Sequence, residues 1–210
     1  MIFRLPDDAL VFPDPALAEP DGLLAIGGDL SAGRLLLAYE NGIFPWFSAG
    51  DPVCWYAPHE RCVLFPDKVK VSRSMDKVLR SGVFEITWNK AFPQVVAGCA
   101  GIARKDGAGT WITDDMQQAY TVLYELGHAG SVEVWLEGQL AGGLYGVLMG
   151  RVFCGESMFS RASNASKAAL IWLCRTGWFR LIDCQLPNDH LMSLGAEMIG
   201  SREFLAVLKT

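Results

Sequence analysis

The sequence predicts an α+β protein with a mixed, largely antiparallel sheet. Strand-like segments follow one another at residues 131–136, 140–148 and 151–156, and Glu137-Gly138 provides a hairpin-type turn between the first two. Amphipathic segments with the period of an α-helix occur before and after these strands. With 210 residues, 51% of them hydrophobic and 20% charged, the chain is long enough to bury a substantial core.

The first 60 residues differ in composition from the rest of the chain. They are rich in proline, glycine and aromatic residues and contain one well-marked helix at 31–40, which begins at a serine N-cap and ends at Asn41-Gly42. From about residue 61 the pattern becomes a regular alternation of strands and helices. We therefore expect a small N-terminal domain at 1–60 and a main domain at 61–210.

Periodicity predicts the remaining elements of the main domain. Residues 83–88 alternate with period two, as in a strand, and residues 113–126 form an amphipathic helix that ends at a glycine. Asn164 is expected to cap a further helix, followed by a buried strand at 179–185 and a closing helix at 201–209. No internal repeat or low-complexity tract interrupts this order.

The N-terminus and the cysteines indicate a cytoplasmic protein. The first 20 residues carry four acidic residues among several prolines and lack the basic start and apolar core of a secretory signal. No apolar run approaches the roughly 18 residues that span a bilayer. The six cysteines form no C-x-x-C pair, so we interpret them as small buried residues in a reducing compartment. We expect no metal and no membrane partner.

The charge of the chain is unevenly distributed. A formal net charge of −5 and an isoelectric point of about 5.2 argue against a protein that coats nucleic acid. Residues 61–80, however, contain six basic and two acidic side chains, which gives a local charge of +4. Such a patch can contact a few phosphates without holding them tightly. The alternative is an ordinary solvated surface.

Several short motifs occur in a characteristic order. They are GGDL at 27–30 with GIFPW at 42–46, TWIT at 110–113, FCGESMFS at 153–160 with ASK at 165–167, and LIDCQ at 181–185. Together they resemble the leucyl/phenylalanyl-tRNA–protein transferase family, and the resemblance runs from about Phe12 to Phe204. It implies a small N-terminal domain followed by a domain similar to the GNAT acyltransferase fold.

The resemblance also implies a reaction. Members of the family move Leu, Phe or Met from aminoacyl-tRNA to the N-terminal Arg or Lys of an acceptor protein, which marks that protein for degradation by the N-degron pathway. The chemistry is aminolysis of an ester, and it requires neither ATP nor a metal, so we expect no cofactor. A monomer is the default expectation.

Asp183 and Gln185 lie two residues apart on one predicted strand, so both side chains are expected on the same face. By the resemblance, this pair contacts the attacking amine and the ester. An ordinary Asp, with a pKa of about 3.9, is a weak base toward an amine. We therefore expect Asp183 to accept a hydrogen bond from the developing ammonium and Gln185 to orient the ester. The alternative for Asp183 is a helix cap or a core ion pair.

Glu156 is a second acidic residue in an apolar setting. It stands beside Gly155 at the end of a predicted strand, where burying a carboxylate costs several kcal/mol unless it has a partner. The resemblance places Glu156 in the substrate site, holding the α-amino group or the ribose of the donor. The alternative is a structural salt bridge.

The resemblance assigns the remaining site residues. A donor pocket would be formed by five apolar side chains, which could otherwise be plain core: Leu144, Phe153, Met158, Leu173 and Ile182. Trp46 and Trp111 would stack on the terminal adenine, and their alternative is packing of the N-terminal domain on the core. Transfer RNA would contact the basic patch, whose members are Lys68, Lys70, Arg73, Lys77 and Arg80. For His190, which follows the strand of Asp183, a structural hydrogen bond is favoured.

Two rival functions remain open. A CoA-dependent N-acetyltransferase would use a similar fold, but the Q/R-x-x-G-x-G/A signature that cradles pyrophosphate is absent around the central strands. A non-catalytic module that recognises N-terminal Arg or Lys would also use acidic residues. It would bind a peptide without adding mass to it.

Overall fold

A computed structural model describes residues 2–101 and 112–209 of the chain. The strands are β1 Phe3–Leu5, β2 Leu23–Gly27, β3 Phe44–Pro45, β4 Cys54–Tyr56, β5 Glu60–Leu64, β6 Glu85–Trp88, β7 Ala129–Leu136, β8 Gln139–Met149, β9 Val152–Ser160, β10 Leu181–Gln185 and β11 Glu197–Gly200. The helices are α1 Ala32–Glu40, α2 Arg73–Arg80, α3 Phe92–Ala100, α4 Asp114–Glu125, α5 Ala165–Arg175, α6 Asp189–Ser193 and α7 Ser201–Leu208.

The strands form two sheets. The N-terminal segment contributes a small sheet with the order β1-β2-β4-β3, and the rest of the chain contributes a seven-stranded sheet with the order β11-β5-β10-β9-β8-β7-β6. In the large sheet every neighbouring pair is antiparallel except β9 and β10, which run parallel. The predicted α+β class with a mixed, largely antiparallel sheet is therefore confirmed.

Helices cover both faces of the large sheet. Side chains of β8 alternate between the faces: Tyr145 belongs to the apolar cluster that contains α3 and α4, whereas Leu144 belongs to the cluster that contains α5. The first cluster also includes Trp55 of the small sheet and Tyr39 of α1, both fully buried. Side chains of the N-terminal segment therefore pack in the same apolar core as α3 and α4.

Helix caps test the sequence prediction at single residues. Ser31 and Thr113 accept hydrogen bonds from backbone N–H groups of α1 and α4, at 3.4 and 3.3 Å respectively, as N-cap side chains do. Asn164 occupies the predicted N-cap position of α5, but the capping hydrogen bond expected from its side chain is absent. Asn164 adopts a left-handed conformation with φ of 70° and makes no capping hydrogen bond through its side chain. Asn tolerates this conformation better than most residues, so it serves as the turn before α5.

Within residues 2–101 and 112–209, no helix has both the length and the apolar composition needed to cross a bilayer.

Candidate active site

The candidate site lies where β9 and β10 separate. The two strands pair only from Val152 with Leu181 to Cys154 with Asp183. Beyond this point β9 continues beside β8 to Ser160, while β10 turns through a β-bulge against β5. A cavity of about 690 Å³ opens between the separated strands. A parallel pair that diverges within a sheet leaves backbone and side chains free to face a ligand.

One wall of the cavity is apolar. Its side chains come from β8, β9, α5 and β10: Leu144, Phe153, Met158, Leu170 and Ile182. Four of these are residues that the family resemblance assigns to the donor pocket. Leu173 is not among the lining residues; it is buried in the same apolar cluster, and Leu170, almost one helical turn earlier on α5, takes its place in the wall.

Glu156 stands at the polar end of the cavity, where it is 8% exposed. Tyr39 donates a hydrogen bond to Glu156 Oε1 at 2.7 Å, and Tyr120 donates one to Oε2 at 2.8 Å. The amide Nε2 of Gln185 donates to Oε1 at 2.9 Å. Glu156 therefore has the partners that its burial requires, two tyrosines and a glutamine. All three are uncharged, so this is not the salt bridge considered as the alternative.

The tyrosine contacts indicate which protonation state of Glu156 fits the site. The hydroxyls of Tyr39 and Tyr120 also lie 2.5 Å apart, so Glu156 and the two phenols make three mutual contacts. Two phenol protons cannot make three hydrogen bonds, whereas a protonated Glu156 supplies the third proton, donating to one tyrosine and accepting from the other. Burial in turn raises the pKa of Glu156 from 4.5 to about 7, despite the hydrogen bonds that lower it. The carboxyl group is therefore able to gain and lose a proton near neutral pH.

This shift predicts a pH dependence of stability. Between pH 4.5 and about 7 the folded protein keeps the proton on Glu156 while the unfolded chain has lost it, so the free energy of unfolding falls as the pH rises through this window. Across this window the free energy of unfolding should fall by about 3 kcal/mol. Urea unfolding from pH 4.5 to 8 should show this loss in the wild type. The Glu156→Gln variant should lack it, and an equal slope in both proteins would contradict the shifted pKa.

Gln185 has an uncommon backbone conformation. Its φ of 61° lies in the left-handed region, which costs a non-glycine residue of order 1–3 kcal/mol. The strain is held by the bulge between Asp183 and Gln185 and by a hydrogen bond of 2.9 Å from the Gln185 N–H to Asp183 Oδ1. The fold thus directs the Gln185 amide towards Glu156, at the edge of the cavity.

Asp183 is fully buried and forms an ion pair with Arg61. The guanidinium donates to Asp183 Oδ1 at 2.8 Å and to Oδ2 at 2.7 Å, and it also donates to the Gly42 carbonyl at 3.1 Å. Arg61 therefore engages both carboxylate oxygens, while Asp183 also lines the cavity, and its expected contact with the attacking amine stays a prediction. The bulge also interrupts the alternation that predicts a common face, since Asp183 meets Arg61 while Gln185 meets Glu156. The core ion pair, the alternative left open by the sequence, is what the structure contains.

Trp46 and the five predicted tRNA contacts do not line the cavity. Trp46 is 40% exposed, packs against Tyr56 with ring centroids 5.6 Å apart, and does not line the cavity. Trp111 lies outside the described residues. The five predicted tRNA contacts are all exposed, and two of them form surface ion pairs, Lys68 with Glu197 and Arg80 with Asp76. Arg61, which contributes to the local charge of +4, is buried and does not belong to that surface.

His190 lies in the cavity wall with a buried Nε2 that has no hydrogen-bond partner among the described residues. Burial, with a smaller contribution from Lys167, lowers the pKa of the imidazole. The structural hydrogen bond favoured from the sequence is therefore not made by Nε2. Tyr39, Tyr120 and Arg61 were not assigned to the site from sequence, because their contacts join residues far apart in the chain and leave no local pattern.

Comparison with known proteins gives consistent matches along the chain. The family model described as leucyl/phenylalanyl-tRNA protein transferase matches residues 63–209, and the model of its N-terminal domain matches residues 28–59. A leucyl/phenylalanyl-tRNA–protein transferase from Flavobacterium psychrophilum is 54% identical over 95% of this chain and 96% of its own length. Another from Syntrophobacter fumaroxidans is 52% identical over 99% of this chain and 89% of its own. The chain therefore belongs to the leucyl/phenylalanyl-tRNA protein transferase family.

Proposed function

We propose that this protein moves Leu, Phe or Met from aminoacyl-tRNA to the N-terminal Arg or Lys of acceptor proteins, and that it does so in the cytoplasm as a monomer without a cofactor. Addition of such a residue marks the acceptor for degradation by the N-degron pathway. The observation that carries the proposal is the apolar cavity that opens beside Glu156 and Gln185. The cavity fits the side chain of the donor, and the polar pair fits the reacting groups.

The apolar wall supports selection of the donor. Burial of an apolar side chain contributes about 0.8 kcal/mol per methylene, so a Leu, Phe or Met side chain gains several kcal/mol among the lining residues. Polar and charged donors lose their hydration there without a matching partner in the wall. The width of the cavity near Met158 and Leu170 then selects among apolar donors by shape.

The reaction requires one proton to leave nitrogen and one to reach oxygen. The α-amine of the acceptor attacks the ester carbonyl carbon, a C–N bond forms, and the C–O bond to the ribose breaks. Glu156, with a pKa of about 7, takes the proton from the nitrogen and returns it to the departing ribose oxygen, so the enzyme is unchanged. Because Gln185 directs Nε2 to Glu156, its Oε1 is placed to accept a hydrogen bond from the amine.

Asp183 enters this scheme as a positioning residue. Its carboxylate holds the backbone N–H of Gln185 and is itself held by Arg61. The pair fixes the strained bulge that aims the Gln185 side chain, and rigid placement of reacting groups accounts for a large part of enzymatic rate enhancement. Asp183 therefore affects the rate through Gln185.

The proposal is tested by mass spectrometry of a peptide with an N-terminal Arg. Incubation with Phe-tRNA should add one Phe residue to the peptide, whereas uncharged tRNA or an N-acetylated peptide should give no product. An acetyl group gained from acetyl-CoA would favour the N-acetyltransferase. Binding of the peptide without any gain of mass would favour the non-catalytic recognition module.

The exposed basic residues are proposed to hold the tRNA. In the Lys70→Ala/Arg73→Ala variant, binding of tRNA should weaken for all sequences alike, and the slope of log affinity against log salt should fall by roughly one per lost phosphate contact. Filter binding between low and physiological salt measures this slope. Lys90→Ala, an exposed lysine outside the patch, is the matched control. If the patch variant and the control have the same slope, tRNA does not bind here.

A further inference from the structure

Three carboxylates line the cavity, and two of them are already engaged. Asp183 is fully buried in its ion pair with Arg61, and Glu156 is enclosed by Tyr39, Tyr120 and Gln185. The third is Asp189, the first residue of α6, which is exposed. Asp189 has no ion pair within residues 2–101 and 112–209.

The surroundings of Asp189 favour a cation from outside the protein. No Lys or Arg lines the cavity among the described residues, and Lys167, whose charge acts on His190, makes no ion pair with Asp189. Most other lining residues are apolar, and the polar ones nearby in sequence, Asn188 and His190, carry no fixed charge at neutral pH. A positive group that enters the cavity mouth therefore meets Asp189 as its available counter-ion.

The position of Asp189 is fixed by the short helix that carries it. The Asn188 side chain accepts a hydrogen bond of 2.9 Å from the Leu191 N–H, which caps α6. Leu191 and Leu194 anchor the other side of the turn in the core, at 8% and 5% exposure. Asp189 thus stands on an anchored element that begins four residues after Gln185, at the rim of the same cavity.

We infer that Asp189 recognises the cationic side chain of the acceptor's N-terminal residue. The inference rests on the proposed function: when the acceptor α-amine lies at Glu156 and Gln185, its own side chain extends along the cavity rim towards α6. A guanidinium or ammonium group there pairs with Asp189, whereas a neutral side chain of the same shape leaves the carboxylate unpaired. Asp189 therefore contributes to the choice of Arg or Lys, while the donor pocket chooses the transferred residue.

The test compares charged and neutral acceptors of the same shape. Two peptides differ only in an N-terminal Arg or citrulline, the uncharged isostere of Arg, and kcat/KM is measured for each with Phe-tRNA. For the wild type we expect a clear preference for Arg. In Asp189→Asn this preference should shrink roughly fivefold, through a higher KM for the Arg peptide. A change of this size is what one partly exposed ion pair contributes to binding. Asp189→Glu should restore most of the preference.

Two controls make the outcomes distinct. Glu125→Gln, which removes one exposed carboxylate outside the cavity lining, should leave the preference at the wild-type value. If the wild type transfers to neither peptide, the proposed function fails. If the wild type prefers Arg and Asp189→Asn retains the full preference, the function stands and the assignment of Asp189 is overturned.

Discussion

Replacing Glu156 by glutamine is expected to lower kcat of the transfer by roughly 10²- to 10⁴-fold, the usual contribution of a positioned acid–base group. Glutamine keeps the shape of the side chain, and its amide can accept a hydrogen bond from one tyrosine and donate one to the other, but it cannot take a proton from the attacking amine. Binding of the donor should change little, because the apolar wall is untouched. Single-turnover transfer from Phe-tRNA to an Arg peptide separates the two effects.

A second buried glutamate provides the matched control. Glu133 is fully buried, accepts hydrogen bonds from Thr87 at 2.6 Å and from Ser131 at 2.5 Å, and does not line the cavity. Glu133→Gln should therefore leave kcat within about twofold of the wild type even if it lowers stability. Equal rates for Glu156→Gln and the wild type would remove Glu156 from the chemistry.

Asp183→Asn is expected to destabilise the fold by about 3–5 kcal/mol, because it leaves the buried guanidinium of Arg61 without its counter-charge. The transfer rate should fall as well, since the Gln185 backbone loses its charged acceptor. Urea unfolding measures the first effect, and single-turnover transfer under conditions where the variant is folded measures the second.

A double variant distinguishes loss of the ion pair from loss of a buried charge. In Arg61→Met/Asp183→Leu neither charge of this pair remains buried, so the loss of stability should be smaller than in Asp183→Asn alone. Its transfer rate should nevertheless stay low, because the bulge at Gln185 is no longer anchored. An Asp183→Asn protein that unfolds at the urea concentration of the wild type would contradict the role given to the pair.

Elements with a strong local pattern could be predicted from the sequence. Helix α4 has an amphipathic period and a threonine cap, and β7 and β8 flank a Glu-Gly turn, so each was found within a few residues of its bounds. Strands β1 and β4 have three residues each, too few for alternation to appear, and they are stabilised by pairing with β2. Such short strands exist only in the context of the sheet.

Part of the candidate site could also be predicted from the sequence. The misplaced acid Glu156 and the apolar residues around it stand out in the sequence, and the structure brings them to one cavity. The ion-pair partner of Asp183 could not be predicted, because Arg61 is 122 positions away and the bulge breaks the regular alternation of β10. Tyr39 and Tyr120 reach Glu156 from helices that are 117 and 36 residues away in the sequence. In the sequence, each of them resembles any other buried aromatic residue.

We expect the donor's side chain to occupy the apolar cavity while its carbonyl lies beside Glu156 and Gln185. The most direct test is a crystal structure with a non-hydrolysable donor, 3′-amino-3′-deoxyadenosine carrying phenylalanine through an amide. We expect the phenyl ring among Phe153, Met158 and Leu170, with the amide carbonyl beside Gln185. A phenyl ring bound elsewhere on the protein, with the cavity between β9 and β10 empty, would contradict the account.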